Sequence, residues 1–89
     1  MTDLVQISWF YGLKVSMYYD EHMPPHFHVE YGDYHAVVDI QKAVIIKGRL
    51  PKKQASLVIA WTLLHQDELM DNWHNACHKK ELFKIDPLR

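Results

Sequence analysis

A two-residue turn between two alternating segments constrains the fold more than any other feature of the sequence. Gly32-Asp33 has the residue types of a tight hairpin turn, and apolar and polar residues alternate over 26–31 and 34–40. This pattern predicts an antiparallel hairpin in which His26 pairs with Asp39 and His28 pairs with Val37. The rest of the fold must accommodate this hairpin.

The two faces of the predicted hairpin have opposite chemistry, because successive side chains of a strand point to opposite sides. One face is apolar, and we expect it to form the core: Phe27, Val29, Tyr31, Tyr34, Ala36, Val38 and Ile40. The other face is polar apart from Val37: His26, His28, Glu30, His35 and Asp39. Cross-strand neighbours lie about 5 Å apart at Cβ. We therefore expect the His26 ring to hydrogen-bond to the Asp39 carboxylate.

The remaining sequence predicts more strands and then helices. Residues 7–11 and 13–19 are typical of one strand or of two short strands broken at Gly12, and residues 44–46 are typical of another. From Pro51 the apolar residues recur at helical spacing. A single helix over 51–79 would be about 43 Å long at 1.5 Å per residue, so a break is expected near residues 65–67, with Asp67 as a helix N-cap.

These elements predict one α+β domain over residues 1–89. Strands occupy most of 1–48, helices occupy 51–80, and 81–89 form an extended tail. We expect about four antiparallel strands with two C-terminal helices packed on one face. Trp9, Trp61 and Trp73 are expected in the core, and Cys77 is expected to be a small buried residue.

Composition restricts the functional classes. The net charge is -1, whereas nucleic-acid binders usually carry a marked positive excess. Cys77 is the only cysteine, which excludes an internal disulfide and favours a reducing compartment. The first residues lack the pattern of a signal peptide, and no window is as apolar as a membrane span. We therefore expect a cytoplasmic protein that does not act at a membrane.

Three histidines within seven residues, His22, His26 and His28, mark the candidate site. Imidazole is the commonest protein ligand of transition metals, and residues at i and i+2 of a strand project from one face. The group therefore predicts a divalent metal site, with zinc, nickel, copper or iron all compatible. A polar, solvated sheet face remains the alternative without a function.

The same residues also suit acid–base catalysis on RNA. His26 held by Asp39 would act as a base, and His28 or His35 would protonate a leaving group. Phosphate contacts would come from Tyr18 and a basic cluster: Lys47, Arg49, Lys52 and Lys53. The metal site and the catalytic site remain open alternatives from the residues alone.

Several segments together resemble a bacterial family described as domain of unknown function 4160. The resemblance rests on Phe10-Tyr11-Gly12, Met17-Tyr18-Tyr19-Asp20, His22, Pro24-Pro25-His26-Phe27-His28-Val29-Glu30-Tyr31-Gly32, Ala36-Val37-Val38-Asp39-Ile40, Gly48-Arg49-Leu50-Pro51, Trp61, Leu64-His65, Asp67-Glu68-Leu69 and Asn72-Trp73. It implies a small bacterial protein, often encoded beside a second short protein in a suspected toxin–antitoxin pair. The family pattern includes His65, which thereby joins the candidate catalytic residues.

Three functional hypotheses follow. The first is an RNA-directed toxin that pairs with an antitoxin-like protein and uses His26, His28, Asp39 and His65. The second is a metal-binding module that uses His22, His26 and His28. The third is an interaction domain that docks a partner protein through a strand edge or a helix surface.

Overall fold

The computed structural model describes residues 4–89 as a five-stranded sheet followed by two helices. The elements are β1 (Leu4–Phe10), β2 (Leu13–Tyr18), β3 (His26–Tyr31), β4 (Tyr34–Asp39), β5 (Val44–Arg49), α1 (Lys52–Leu64) and α2 (Gln66–Cys77). The predicted α+β class is confirmed. The sheet has five strands rather than about four, because Tyr11 and Gly12 both adopt positive φ and turn the first segment back on itself.

The strands lie in the order β1-β2-β3-β4-β5, and every neighbouring pair is antiparallel. The β3–β4 hairpin has the predicted register, from His26 opposite Asp39 to Tyr31 opposite Tyr34. This prediction is confirmed because alternation and turn chemistry specify the same pairing.

The core lies between the apolar face of the sheet and the two helices. Phe27, Val29 and Val38 are fully buried there, as is Trp61 of α1, and Trp73 of α2 is nearly so. The predicted core positions of both helical tryptophans are confirmed. Trp9 is 63% exposed, so its expected burial is wrong. It pairs with Lys14, which is also exposed.

The helical segment breaks at His65, as expected. His65 has φ -126° and ψ 24°, ends α1 and precedes α2. The predicted N-cap at Asp67 is wrong, because Asp67 lies inside the first turn of α2 beside Glu68. Carboxylates in a first turn stabilise a helix through its dipole.

The end of α2 and the tail complete the fold. Cys77 is exposed, which corrects the expectation of burial; it shares an exposed stripe of α2 with His74, while Ala76 faces the core. After α2, the buried Ile85 donates its backbone N–H to the Ile7 carbonyl at 2.8 Å. The tail therefore lies along β1.

Candidate metal centre

The candidate site forms where the connection between β2 and β3 meets the start of β3. Glu21 lies in this connection, His26 is the first residue of β3, and His28 follows at i+2. The side chains of Glu21, His26 and His28 are 23%, 10% and 15% exposed. The three groups are thus largely shielded from solvent but not sealed from it.

One carboxylate oxygen faces both imidazoles. Glu21 Oε1 lies 2.7 Å from His28 Nε2 and 3.1 Å from His26 Nε2. One ligand atom from each of the three residues lies within 4.8 Å of the other two. Two nitrogens and one oxygen therefore converge on a common point.

A hydrogen bond fixes the orientation of the His26 ring. Its Nδ1 lies 2.7 Å from the Pro24 carbonyl oxygen, which can only accept, so Nδ1 carries a proton. In a neutral ring Nε2 then presents a lone pair toward the Glu21 oxygen. Two acceptors 3.1 Å apart require a proton or a cation between them. A histidine that donates its other ring N–H to a backbone carbonyl is typical of metal ligands.

The rings around the cluster hold the imidazoles in place. His28 Nδ1 lies 3.3 Å from His35 Nε2, and the Tyr18 ring contacts His28 edge-on with centroids 4.8 Å apart. The Trp73 ring centroid lies 5.2 Å from that of His26. Both histidines are therefore positioned by neighbours from other elements.

A buried hydroxyl lies beside the cluster without a partner. Ser16 pairs in register with His28 across β2 and β3, so their side chains share a face of the sheet. Its Oγ is buried and forms no hydrogen bond within residues 4–89. The Ser16 hydroxyl therefore adds a buried polar group to the face that carries the histidines.

The cluster opens into a pocket with a volume of about 320 Å³. Besides the three cluster residues, the pocket is lined by His22, Met23, Pro24, Val37, Ile46 and Lys47. Of the residues predicted from the sequence, His26 and His28 thus meet directly. Tyr18 contacts the cluster, whereas His22 and Lys47 line its pocket.

The predicted pair of His26 and Asp39 is aligned in the sheet but not joined by a hydrogen bond. Asp39 Oδ1 accepts the backbone N–H of Lys42 at 2.9 Å, and His26 bonds to Pro24 instead. The expected side-chain contact is therefore wrong, although the register behind it is right. His26 and Asp39 each hydrogen-bond to a backbone group of the connection next to their own strand. These hydrogen bonds set the two side-chain rotamers.

The other predicted residues lie apart from the cluster. His65 Nδ1 contacts Glu68 Oε1 at 2.6 Å and lines a different pocket, at the helix break. Arg49 lies over the Tyr34 ring, 5.7 Å from its centroid, in a third pocket. Lys52 and Lys53 are exposed at the start of α1 and line none of these pockets.

Glu21 is the residue that sequence reasoning missed. It precedes His22 in a segment with neither strand nor helix periodicity, so no pattern fixed where its side chain would lie. The available signal was an acidic residue five positions before His26 and seven before His28.

Comparison with known proteins identifies the class. The family model for the domain of unknown function DUF4160 matches residues 12–74, which is more than half of the chain. The chain belongs to this family, and all three cluster residues lie inside the matched region. No curated protein and no solved structure matches the chain. No helix within residues 4–89 is long and apolar enough to cross a membrane.

Proposed function

We propose that this protein binds a divalent transition-metal ion through Glu21, His26 and His28. The observation that carries the proposal is the single carboxylate oxygen facing two imidazole nitrogens, with the His26 tautomer fixed by the Pro24 carbonyl. This ligand set replaces the one expected from sequence, in that Glu21 takes the place of His22.

The spacing of the groups suits a metal ion. Ligand atoms about 2.1 Å from one ion are about 3.0 Å apart at octahedral angles and about 3.4 Å apart at tetrahedral angles. The two measured separations from Glu21 Oε1 are 2.7 and 3.1 Å. For His28 Nε2 and Glu21 Oε1 to bind one ion, their separation would have to lengthen by about 0.3–0.7 Å.

Two imidazoles with one carboxylate are the ligands of catalytic zinc and of non-haem iron. Such a set leaves positions open for water or a small ligand. When bound, the ion would act as a Lewis acid on whatever occupies those positions. Lys47 lines the same pocket and would favour an anionic ligand.

The direct test is the metal content of purified protein without a histidine tag, measured by mass spectrometry. We expect about one zinc or iron ion per chain in the wild type and almost none in the His26→Ala, His28→Ala variant. The matched control is His74→Ala with His78→Ala, which removes two exposed histidines outside the cluster. Wild-type protein that stays metal-free after incubation with zinc, nickel or ferrous ion would refute the proposal.

The second candidate is a metal-free acid–base site acting on RNA, as in a toxin held in check by an antitoxin-like partner. The specific observation in its favour is the 2.7 Å contact between Glu21 and His28 in a pocket that Lys47 also lines. Here Glu21, not Asp39, would orient the catalytic imidazole.

The two candidates differ in their response to chelation. RNA cleavage that persists in EDTA and disappears in His28→Ala would favour the second. The same candidate predicts that expression of the chain without its neighbour inhibits growth and that His28→Ala relieves this inhibition. If neither the wild type nor the His28→Ala variant inhibits growth, the acid–base site has no support.

A further inference from the structure

The two edge strands of the sheet, β1 and β5, differ in what covers their outer backbone groups. At β1, Ile85 of the tail donates its N–H to Ile7, and the Ser8 hydroxyl donates to the Ile85 carbonyl at 2.9 Å. At the opposite edge, every backbone pairing of β5 within residues 4–89 is with β4. One full side of β5 therefore presents its backbone groups to solvent.

The free edge is unusually open. Only Ile45 of the six β5 residues is even partly buried, and Val44 and Ile46 are 44% and 47% exposed. Exposed β-branched residues on an unpaired strand are a template for pairing with another chain. An edge that stays unpaired is normally protected.

The charged residues that protect the β5 edge are all positive. β5 carries Lys47 and Arg49, and a bulge at Ile46 disturbs its ladder with β4, since Lys47 pairs with Val37 and Ile45 with Val38. Lysine and bulges are the usual devices that prevent edge-to-edge aggregation. Lysine and arginine repel a second basic edge but attract an acidic one.

The surrounding sequence extends this bias. Five of the ten lysine and arginine residues fall within residues 42–53, and no aspartate or glutamate occurs between Asp39 and Asp67. The chain as a whole has a net charge of -1. The positive charge is therefore concentrated at β5 and the start of α1.

We propose that β5 is a docking edge for an acidic polypeptide segment that adds to the sheet as a sixth strand. Main-chain hydrogen bonds to the free edge would supply affinity, and carboxylates facing Lys47 and Arg49 would supply selectivity. A second copy of this chain is disfavoured, because pairing β5 with itself brings two basic clusters together. RNA would use the charges but neither the strand edge nor Val44 and Ile46. This edge shares Ile46 and Lys47 with the pocket of the candidate metal site, but the strand pairing does not require a bound ion.

The test uses a fluorescent peptide of about eight residues that alternates valine and glutamate, with binding followed by anisotropy. We expect the wild-type protein to bind it and the Lys47→Glu, Arg49→Glu variant to bind about tenfold more weakly or worse. The control variant Lys80→Glu with Lys84→Glu, which changes two exposed lysines that follow α2, should bind as the wild type does.

A second probe isolates the strand pairing without any change to the protein. The same peptide methylated on every backbone nitrogen keeps its charge but has no N–H donor on either edge, and we expect it to bind at least about tenfold more weakly. Equal binding of the methylated peptide, tighter binding of a single-stranded RNA than of the peptide, or dimerisation of the protein alone in sedimentation would each overturn the proposal.

Discussion

Within residues 4–89, two glutamates contact histidine rings, and their surroundings differ. His28 and Glu21 lie 2.7 Å apart, and the same carboxylate oxygen also faces His26. His65 and Glu68 lie 2.6 Å apart at i and i+3 around the helix break. The first contact joins a loop to a strand, whereas the second joins neighbours in sequence.

This difference indicates what makes a histidine pair a candidate site. At Glu21 two nitrogens converge on one oxygen, and a backbone carbonyl sets the tautomer of His26. At His65 one ring meets one carboxylate, and Glu68 is 47% exposed. A single histidine–carboxylate pair is ordinary at a helix terminus, whereas three converging ligand atoms from β3 and the connection before it depend on how that connection folds.

The largest expected effect is a local gain in stability when metal binds. Free zinc at one hundred times its dissociation constant should stabilise the fold by about 2.7 kcal/mol. Thermal unfolding would measure the gain, and amides that exchange by local opening should gain more protection at residues 19–28 than at 64–69. A gain of the same size in the His26→Ala, His28→Ala variant would contradict the assignment of the ion to this cluster.

The next effect separates the two glutamates. Glu21→Gln replaces the shared anionic ligand by a neutral amide, so metal affinity should fall about tenfold to a hundredfold. Glu68→Gln should leave metal affinity unchanged. Competition with a chromogenic chelator gives both constants, and a similar loss in both variants would contradict the assignment of the cluster.

A smaller effect is expected from a neighbour of the cluster. His35 contacts Nδ1 of His28 at 3.3 Å and is itself exposed, so it supports the ring only weakly. His35→Ala should lower metal affinity by about threefold, less than is usual for groups that orient a metal ligand. A loss as large as that of Glu21→Gln would make His35 a ligand.

The sequence predicts the strand register around this site better than it predicts the ligand residues. The turn at Gly32-Asp33 and the alternation beside it were sufficient for the register that places His26 and His28 on one face. The path of the β2–β3 connection was not predictable, because it depends on distant contacts such as Asp20 N–H to the Ala76 carbonyl at 3.4 Å. Glu21 lies in that connection.

The errors have the same physical origin. Residue types placed Trp9 and Cys77 inside, but Trp9 lies on a sheet face without a helix and Cys77 on the solvent stripe of α2. Asp39 faces His26 as predicted, yet its carboxylate binds a nearer backbone N–H. Local patterns determine which face a residue takes, whereas tertiary contacts determine what covers that face and which partner its side chain binds.

The smallest expected effect concerns the stability of the second pair. Glu68 is half exposed and lies three residues from His65, so the contact resembles a surface pair on a helix. Such pairs contribute about 0.2–0.5 kcal/mol. Glu68→Gln should therefore change the free energy of unfolding in urea by no more than about 0.5 kcal/mol. The α2 dipole favours a carboxylate in the first turn, so the sign should be destabilising, and the remaining Asp67 limits the loss. A loss above about 2 kcal/mol would mean that the His65–Glu68 contact stabilises the helix break itself. Glu21 and Glu68 would then differ in their roles and not in the strength of their contacts.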